Sequence, residues 1–335
     1  MFRYDAFRYE SHAAPAMHPD RLFTLAALFG LPAAPADRCR YLEVGAGDGT
    51  NLIAAAVALP GGTFVGLDLA ETAVARGNDL IHELGLTNAR LLHADLTTWR
   101  PDAPFDYVVA HGVYSWVPAD VRDALVGLVK AALGPSGVGY VSYNTLPGCH
   151  LRRVIWDLLK FHTADVPDPG AKLDQAAQVL QFLIAGQHGV DAPPNRLVLA
   201  EAKSVLDRPE RHLTFHDDLS EFNDPVYFLD FANHLDGHGL KFLAEADLPA
   251  MSDESFPKPV AQALAALHGR SPLLQEQYRD FLRVRRFRRS LVCHADLSTR
   301  ATPDPAAAAG LWASTRLRPA DPAAEAPAEF VGDDL

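Results

Sequence analysis

One stretch constrains this chain more than any other: Tyr41-Leu42-Glu43-Val44-Gly45-Ala46-Gly47-Asp48-Gly49-Thr50. A short apolar run enters three glycines at alternate positions, and helical spacing resumes near Asn51. Glycine lets the backbone turn tightly and come close to a ligand, and the helix that follows offers unpaired N–H groups at its start. The pattern downstream repeats the same unit. Strands are expected at 63–68, 89–95, 105–110 and 138–143, with helices at 69–84, stopped by Gly85, and at 119–133, stopped by Gly134-Pro135. Alternation of this length predicts an α/β fold, a doubly wound, mostly parallel sheet with helices on both faces.

A dinucleotide loop is the first candidate for the glycines, and it fails on spacing. GxGxxG would need Gly or Ala at position 50, where Thr50 stands. Two acids at neighbouring strand ends favour a nucleoside instead. Asp68 closes the second strand, where a carboxylate can take both ribose hydroxyls, and Asp95 closes the third, where it can accept from an adenine amino group while the Leu96 N–H meets a ring nitrogen. With Glu43 on the first strand, these form a crevice at one edge of one sheet.

This constellation, Glu43 to Gly49 with Asp68 and Asp95, resembles the class I S-adenosylmethionine-dependent methyltransferases, whose fold is Rossmann-like. The resemblance covers about residues 36 to 145. It implies that Glu43 and the backbone of Gly45, Gly47 and Gly49 hold the methionine part of S-adenosylmethionine, that Asp68 holds the ribose, that Asp95 and Leu96 recognise adenine, and that the chain near His111 closes over the amino-acid end. Further runs, HPDRLFTLAALFGL (18–31), AHGVYSWVP (110–118), VSYNTLPG (141–148), FHDDLSEFNDPVYF (215–228) and FLRVRRFRRSLVCH (281–294), look like bacterial methyltransferases that carry a methyltransferase regulatory domain. That group is similar to the bacterial lysine methyltransferases that modify outer-membrane proteins. Its members are often longer, so a further C-terminal domain is expected to be absent or cut away here.

The resulting organisation is an aromatic arm and lid helix over 1–35, a cofactor-binding domain over 36–150, a helical accessory or regulatory region over 151–295 that returns the last two sheet strands (240–245 and 290–293), and a linker or disordered tail over 296–335. Ser271 to Phe287 reads as helix.

Methyl transfer needs a positioned nucleophile and the exclusion of water. An amine nucleophile must be neutral, and aromatic walls desolvate it and lower its pKa. Tyr114, Tyr143 and Asn144 stand beside the expected crevice as candidate catalytic residues; core packing of the loop is the alternative for Tyr114 and Trp116, and a turn cap before Pro147-Gly148 is the alternative for Asn144. Trp116, with Tyr4 and Tyr9 of the aromatic arm, are candidates for the substrate wall and lid. His111 serves as a base or orients its loop, and the loop role is preferred.

Composition narrows the partners. Lys and Arg number 30 against 42 Asp and Glu, a net charge of −12, which disfavours nucleic acid and anionic membrane surfaces. No apolar run approaches the roughly twenty residues of a span, and three scattered cysteines suggest neither disulfides nor a Cys-type metal site, so a cytoplasmic address is expected. Two HxxxH pairs, His212 with His216 and His234 with His238, read as chance spacing in a chain with 14 histidines, so no metal is expected. Six arginines between 279 and 289 read as the solvated basic face of a helix. The substrate expected is a lysine amine on a protein or peptide. The rivals are a small-molecule N- or O-methyltransferase and a non-catalytic cofactor-binding module. Oligomeric state is not legible.

Overall fold

The computed structural model describes Tyr9, residues 11–187, 189–190 and 192–311, and the backbone of 318–319 and 330–331. After α1 (Pro19–Leu28), the chain alternates β1 (Arg40–Val44), α2 (Thr50–Ala58), β2 (Thr63–Asp68), α3 (Glu71–Glu83), β3 (Ala89–His93), β4 (Phe105–Ala110), α4 (Ala119–Ala132) and β5 (Leu133–Asn144). Later come β6 (Leu240–Glu245) and β7 (Phe287–His294), and the sheet runs β3-β2-β1-β4-β5-β7-β6. The pairs among the first five strands are parallel, and β7 lies antiparallel to both β5 and β6.

The order reverses between β1 and β4. From β1 the chain winds outward to β2 and β3, then crosses back to β4 on the other side, so the loops leaving β1 and β4 part. In an open α/β sheet, that divergence at the carboxyl edge is where a ligand fits. Side-chain alternation along the strands builds a core on each face. Tyr41 and Phe64 pack with Leu22, Phe29 and Leu52 on one side. Leu42, Val44, Val65 and Val108 pack with Leu125 of α4 on the other.

The accessory region leaves the carboxyl end of β5 as α5 (Cys149–His162), α6 (Pro169–Gly186), α7 (Pro193–Leu206) and the short α8 (Arg211–Leu213), which runs into a π turn over Thr214–Asp218. Asp168 caps α6 by accepting from Ala171 N, with Pro169 in the first turn. These helices bury a separate apolar cluster that includes Ile155, Leu159, Leu180, Val205 and Phe215. The chain re-enters the main core through α9 (Phe228–Gly237), whose Phe231 and Leu235 join the α4 side of the sheet.

Three expectations from sequence are corrected. The helix expected over Ser271–Phe287 is α11 (Pro272–Arg283), preceded by α10 (Lys258–Arg270), which has no counterpart in the sequence reading. It stops because Val284 takes a left-handed φ of 48°, after which β7 begins. The arginines are therefore no solvated face. Arg288 is fully buried, with Nη1 donating to Glu245 Oε1 at 2.7 Å and Nη2 to Asp280 Oδ1 at 2.8 Å, and its guanidinium lies 4.1 Å from the centroid of Phe228. Arg279 pairs with Asp253 and Glu276, and Arg286 with Glu201. Along β7 side chains alternate between faces, so Arg288 turns into the core while Arg289 stays half-exposed, and the buried charge persists because it is paired. Third, the stretch expected as a linker first returns to α1: Arg300 N donates to Phe29 O and Asp304 N to Leu28 O, both at 2.8 Å, before a 3₁₀ turn at Pro305–Gly310. No helix among the described residues is long and apolar enough to cross a membrane.

Candidate active site

The carboxyl edge of the sheet opens into a cleft of about 1290 Å³. Its floor is the β1–α2 turn. Gly45, Gly47 and Gly49 all adopt positive φ (73°, 57° and 74°). A side chain at Gly45 would also meet Val113 Cγ2 at 2.5 Å. The turn thus needs glycine both for its conformation and for the close approach of the loop after β4.

Around this turn the strand-end acids take distinct environments. Glu43 is buried, its Oε2 accepting from Asn51 Nδ2 at 3.0 Å. Burial pushes its pKa up to about 7, against the Asn51 hydrogen bond and with a smaller push from Asp68. Asn51 also accepts from Ala14 N at 3.0 Å, which ties the N-terminal segment to the turn. Asp68 accepts from Gly47 N through Oδ2 at 2.7 Å and from Ala70 N through Oδ1 at 2.8 Å, so it braces the glycine turn. Asp95 is exposed, and the Thr97 N–H and hydroxyl, both at 2.8 Å from Oδ1, hold its carboxyl below the usual range. Leu96 lines the cleft beside it.

On the β4 side, His111 lines the cleft with Nδ1 3.0 Å from the Tyr140 hydroxyl. Burial, helped by Arg289, lowers its pKa to about 4, so the ring is neutral near pH 7. Trp116 and Asn144 also line the cleft. Asn144 Nδ2 donates to Asn223 Oδ1 at 2.9 Å, which turns its own amide oxygen away from Asn223.

Tyr114 and Tyr143 do not belong to the site, and their expected catalytic place is corrected. Neither lines the cleft. Tyr114 is 2% exposed and bonds His234 Nδ1 at 2.9 Å; Tyr143 is fully buried, stacks on Phe231 with centroids 4.2 Å apart, and bonds Ser290. Most of the loop 111–118 faces the cleft, but Tyr114 and Ser115 turn from it, and Tyr143 of β5 faces the core beside Asn144, which faces the cleft. Burial raises both phenol pKa values. Tyr4 lies outside the described residues. Tyr9 reaches the cleft wall, edge-on to the rings of His212 and His216 at 5.3 Å from each.

The far wall comes from the accessory region. Asp218 is buried and accepts from Arg152 Nε at 3.0 Å, Trp156 Nε1 at 2.8 Å and Arg208 Nη1 at 3.2 Å. Asp217, beside it on the π turn, has a looser approach, with Arg208 at 4.0 Å. Burial, then the Asp218 charge, push its pKa up to about 7. Sequence reasoning did not place these acids in the site. The run 215–228 marked the segment, but only the packing of α5 and α7 brings Arg152 and Arg208 to it.

The donor set fits an adenosyl amino acid. The glycine turn admits close backbone approach, and Glu43, Asp68 and Asp95 sit at three successive strand ends around it. Known proteins agree with that geometry. Residues 42–138 match the family model of a methyltransferase domain, and residues 210–294 that of a predicted methyltransferase regulatory domain. An uncharacterized protein of Rickettsia prowazekii is 35% identical over 295 residues, covering 88% of this chain and 53% of that protein. A second from the same organism is 31% identical over 229 residues, covering 68% of this chain and 91% of that protein. Among solved structures, PKMT2 from Rickettsia typhi in complex with AdoHcy superimposes with a TM-score of 0.84 at 29% identity, over 94% of this chain and 60% of that one. The chain thus spans about half the length of the first of these relatives.

Proposed function

Because this chain belongs to the S-adenosylmethionine-dependent methyltransferases that carry a methyltransferase regulatory domain, we propose that it methylates the ε-amine of lysine in a protein or peptide. The cofactor, when bound, supplies an electrophilic methyl group on a sulfonium. This chain's residues bind and shield. The Gly45–Gly49 turn and Glu43 hold the amino-acid end, with neutral His111 closing beside it. Asp68 takes the ribose, and Asp95 with the Leu96 N–H takes adenine. Trp116 and Tyr9 wall the substrate entry, excluding water and favouring a cationic group against their faces. The Asn144 amide oxygen accepts from the incoming amine. Asp217 draws the ammonium toward the cleft and, with its pKa near the working pH, is poised to share the proton that the amine must shed.

One observation carries the reading. The cleft, at about 1290 Å³, exceeds the roughly 300–1,000 Å³ of a single small-ligand site, and its two ends differ: strand-end acids around the glycine turn at the sheet edge, and at the other end a half-buried carboxylate, Asp217, with its Arg208 partner 4.0 Å away. The likeness to PKMT2, solved in complex with AdoHcy, supports a cofactor site at the sheet edge, and the acidic far wall supports an amine substrate. A small-molecule substrate is the second reading, favoured by the cover that α5 and the π turn place over the cleft.

The test is labelled-methyl transfer from S-adenosylmethionine into a bacterial lysate, resolved by size. Label in protein bands, lost when the lysine amines of the lysate are first acetylated, is expected. Label confined to small molecules selects the second reading, and tight cofactor binding with no label anywhere selects a non-catalytic module.

A further inference from the structure

On the face of the sheet covered by α4 and α9, away from the cleft, three donor groups converge. Asp123 of α4 projects its Oδ1 to 2.8 Å from His238 Nε2 and 3.2 Å from His234 Nε2. Among the described residues, this is the one group of three or more metal-type ligands whose donor atoms all lie within 4.8 Å of one another. The HxxxH spacing of His234 and His238 carries no metal reading by itself; the third donor, contributed by a helix more than a hundred residues earlier in the chain, changes what the pair can do. We propose that Asp123, His234 and His238 form a binding site for a divalent borderline metal ion, zinc foremost, that clamps α4 to α9.

Zinc holds nitrogen and oxygen ligands at about 2.0–2.1 Å in a tetrahedron, so its ligand atoms stand roughly 3.3 Å apart. The Asp123–His238 and Asp123–His234 separations, 2.8 and 3.2 Å, need to open by about half an ångström and about a tenth to reach that spacing. Two imidazoles and one carboxylate match the ligand types that zinc accepts, and they leave a fourth position for water. The side chains suit entry from solvent: both histidines are about one-quarter exposed and Asp123 is 65% exposed. Asp123 ionises readily, held below the ordinary range by its two histidine partners, and partial burial lowers the His234 pKa, which favours the neutral ring that ligates.

The second ring nitrogen of His234 is also fixed. His234 Nδ1 lies 2.9 Å from the buried Tyr114 hydroxyl. A ligating histidine is commonly oriented by such a partner on its other nitrogen, and loss of the partner costs about 10–100-fold in metal affinity. Tyr114 thereby gains a role other than the catalytic one that the sequence suggested: it is a positioning residue for His234.

The experiment titrates Zn²⁺ alone into chelator-treated full-length chain by calorimetry, with thermal unfolding followed in parallel. One equivalent is expected to bind, raising the melting temperature. Asp123→Ala and His238→Ala should each weaken binding more than about tenfold, and Tyr114→Phe about tenfold, with the zinc-dependent rise in melting temperature lost in the first two. Co²⁺ in place of zinc should give the visible absorption of a four-coordinate site in the wild type and lose it in His238→Ala. Circular dichroism and cofactor affinity equal to wild type establish that the variants are folded. Zinc binding that is absent from the wild type, or equal in the wild type and in folded Asp123→Ala and His238→Ala, overturns the proposal and leaves an Asp–His ion pair in its place.

Discussion

The two walls of the cleft are built by different means. The sheet-edge wall comes from strand ends close in sequence, and much of its grip lies in backbone: positive-φ glycines, turn N–H groups and a carboxylate, Asp68, that braces the turn from the next strand. The accessory wall is made of side chains brought together by helix packing. Asp218 gathers Arg152 and Trp156 from α5 and Arg208 from the segment after α7, and Asp217 rides beside it. A backbone wall is fixed by its three glycines and tolerates change at the other positions of the turn, because any residue there supplies the same N–H group. A side-chain wall depends on each partner, and it is where substrate preference can diverge while the cofactor stays the same.

The contrast can be broken most severely at Asp218. Asp218→Ala leaves the buried Arg152 and Trp156 donors and the half-buried Arg208 without this acceptor and should cost about 3–5 kcal/mol in folding stability, measured by denaturant unfolding; a loss under about 1 kcal/mol would mean that the accessory wall does not hinge on this network. Next is Asp68→Ala, which removes a charged acceptor from the turn and should weaken S-adenosylmethionine binding about 10–100-fold, with a stability loss smaller than that of Asp218→Ala as the bonds from Gly47 N and Ala70 N are lost. Asp217→Asn should then separate the walls. The KM for a lysine peptide should rise about tenfold, with cofactor affinity within about twofold of wild type in equilibrium dialysis.

The smallest effect is a pH slope. The folded pKa of Glu43 is raised to about 7 from an ordinary 4.5, so between those values the unfolded chain binds fewer protons and stability falls as pH rises. This contribution is fully present below pH 4.5 and is lost as pH climbs through 7. Glu43→Gln should flatten that part of the stability profile, and an unchanged slope would place the titration elsewhere.

The same division explains what the sequence revealed. β2 and β4 fall where the sequence puts them, since a parallel sheet buries contiguous apolar runs that are local in sequence, and β6 does so as a short apolar run at the antiparallel edge. The glycine turn was legible because its spacing is itself the geometry. Asp217 and Asp218 were visible as a pair of acids but not as part of the site, because their setting depends on Arg152 and Arg208, sixty-six and ten residues away. Tyr114 and Tyr143 misled for the same reason. Their positions beside the crevice were right, and which face each ring takes is decided by Phe231 of α9, which the local sequence does not contain. The arginine run was misread because composition shows charge, while only the sheet order shows that β7 is interior.

The central claim is that the cleft delivers a methyl group to a lysine amine. The most direct measurement is tandem mass spectrometry of a lysine-containing protein substrate, for example a bacterial outer-membrane protein, incubated with purified enzyme and S-adenosylmethionine. The account predicts methyl additions on lysine side chains, strongly reduced with Asp68→Ala enzyme and reduced with Asp217→Asn. Methyl groups found only on other residue types, or lysine methylation at wild-type level in both variants, would contradict it.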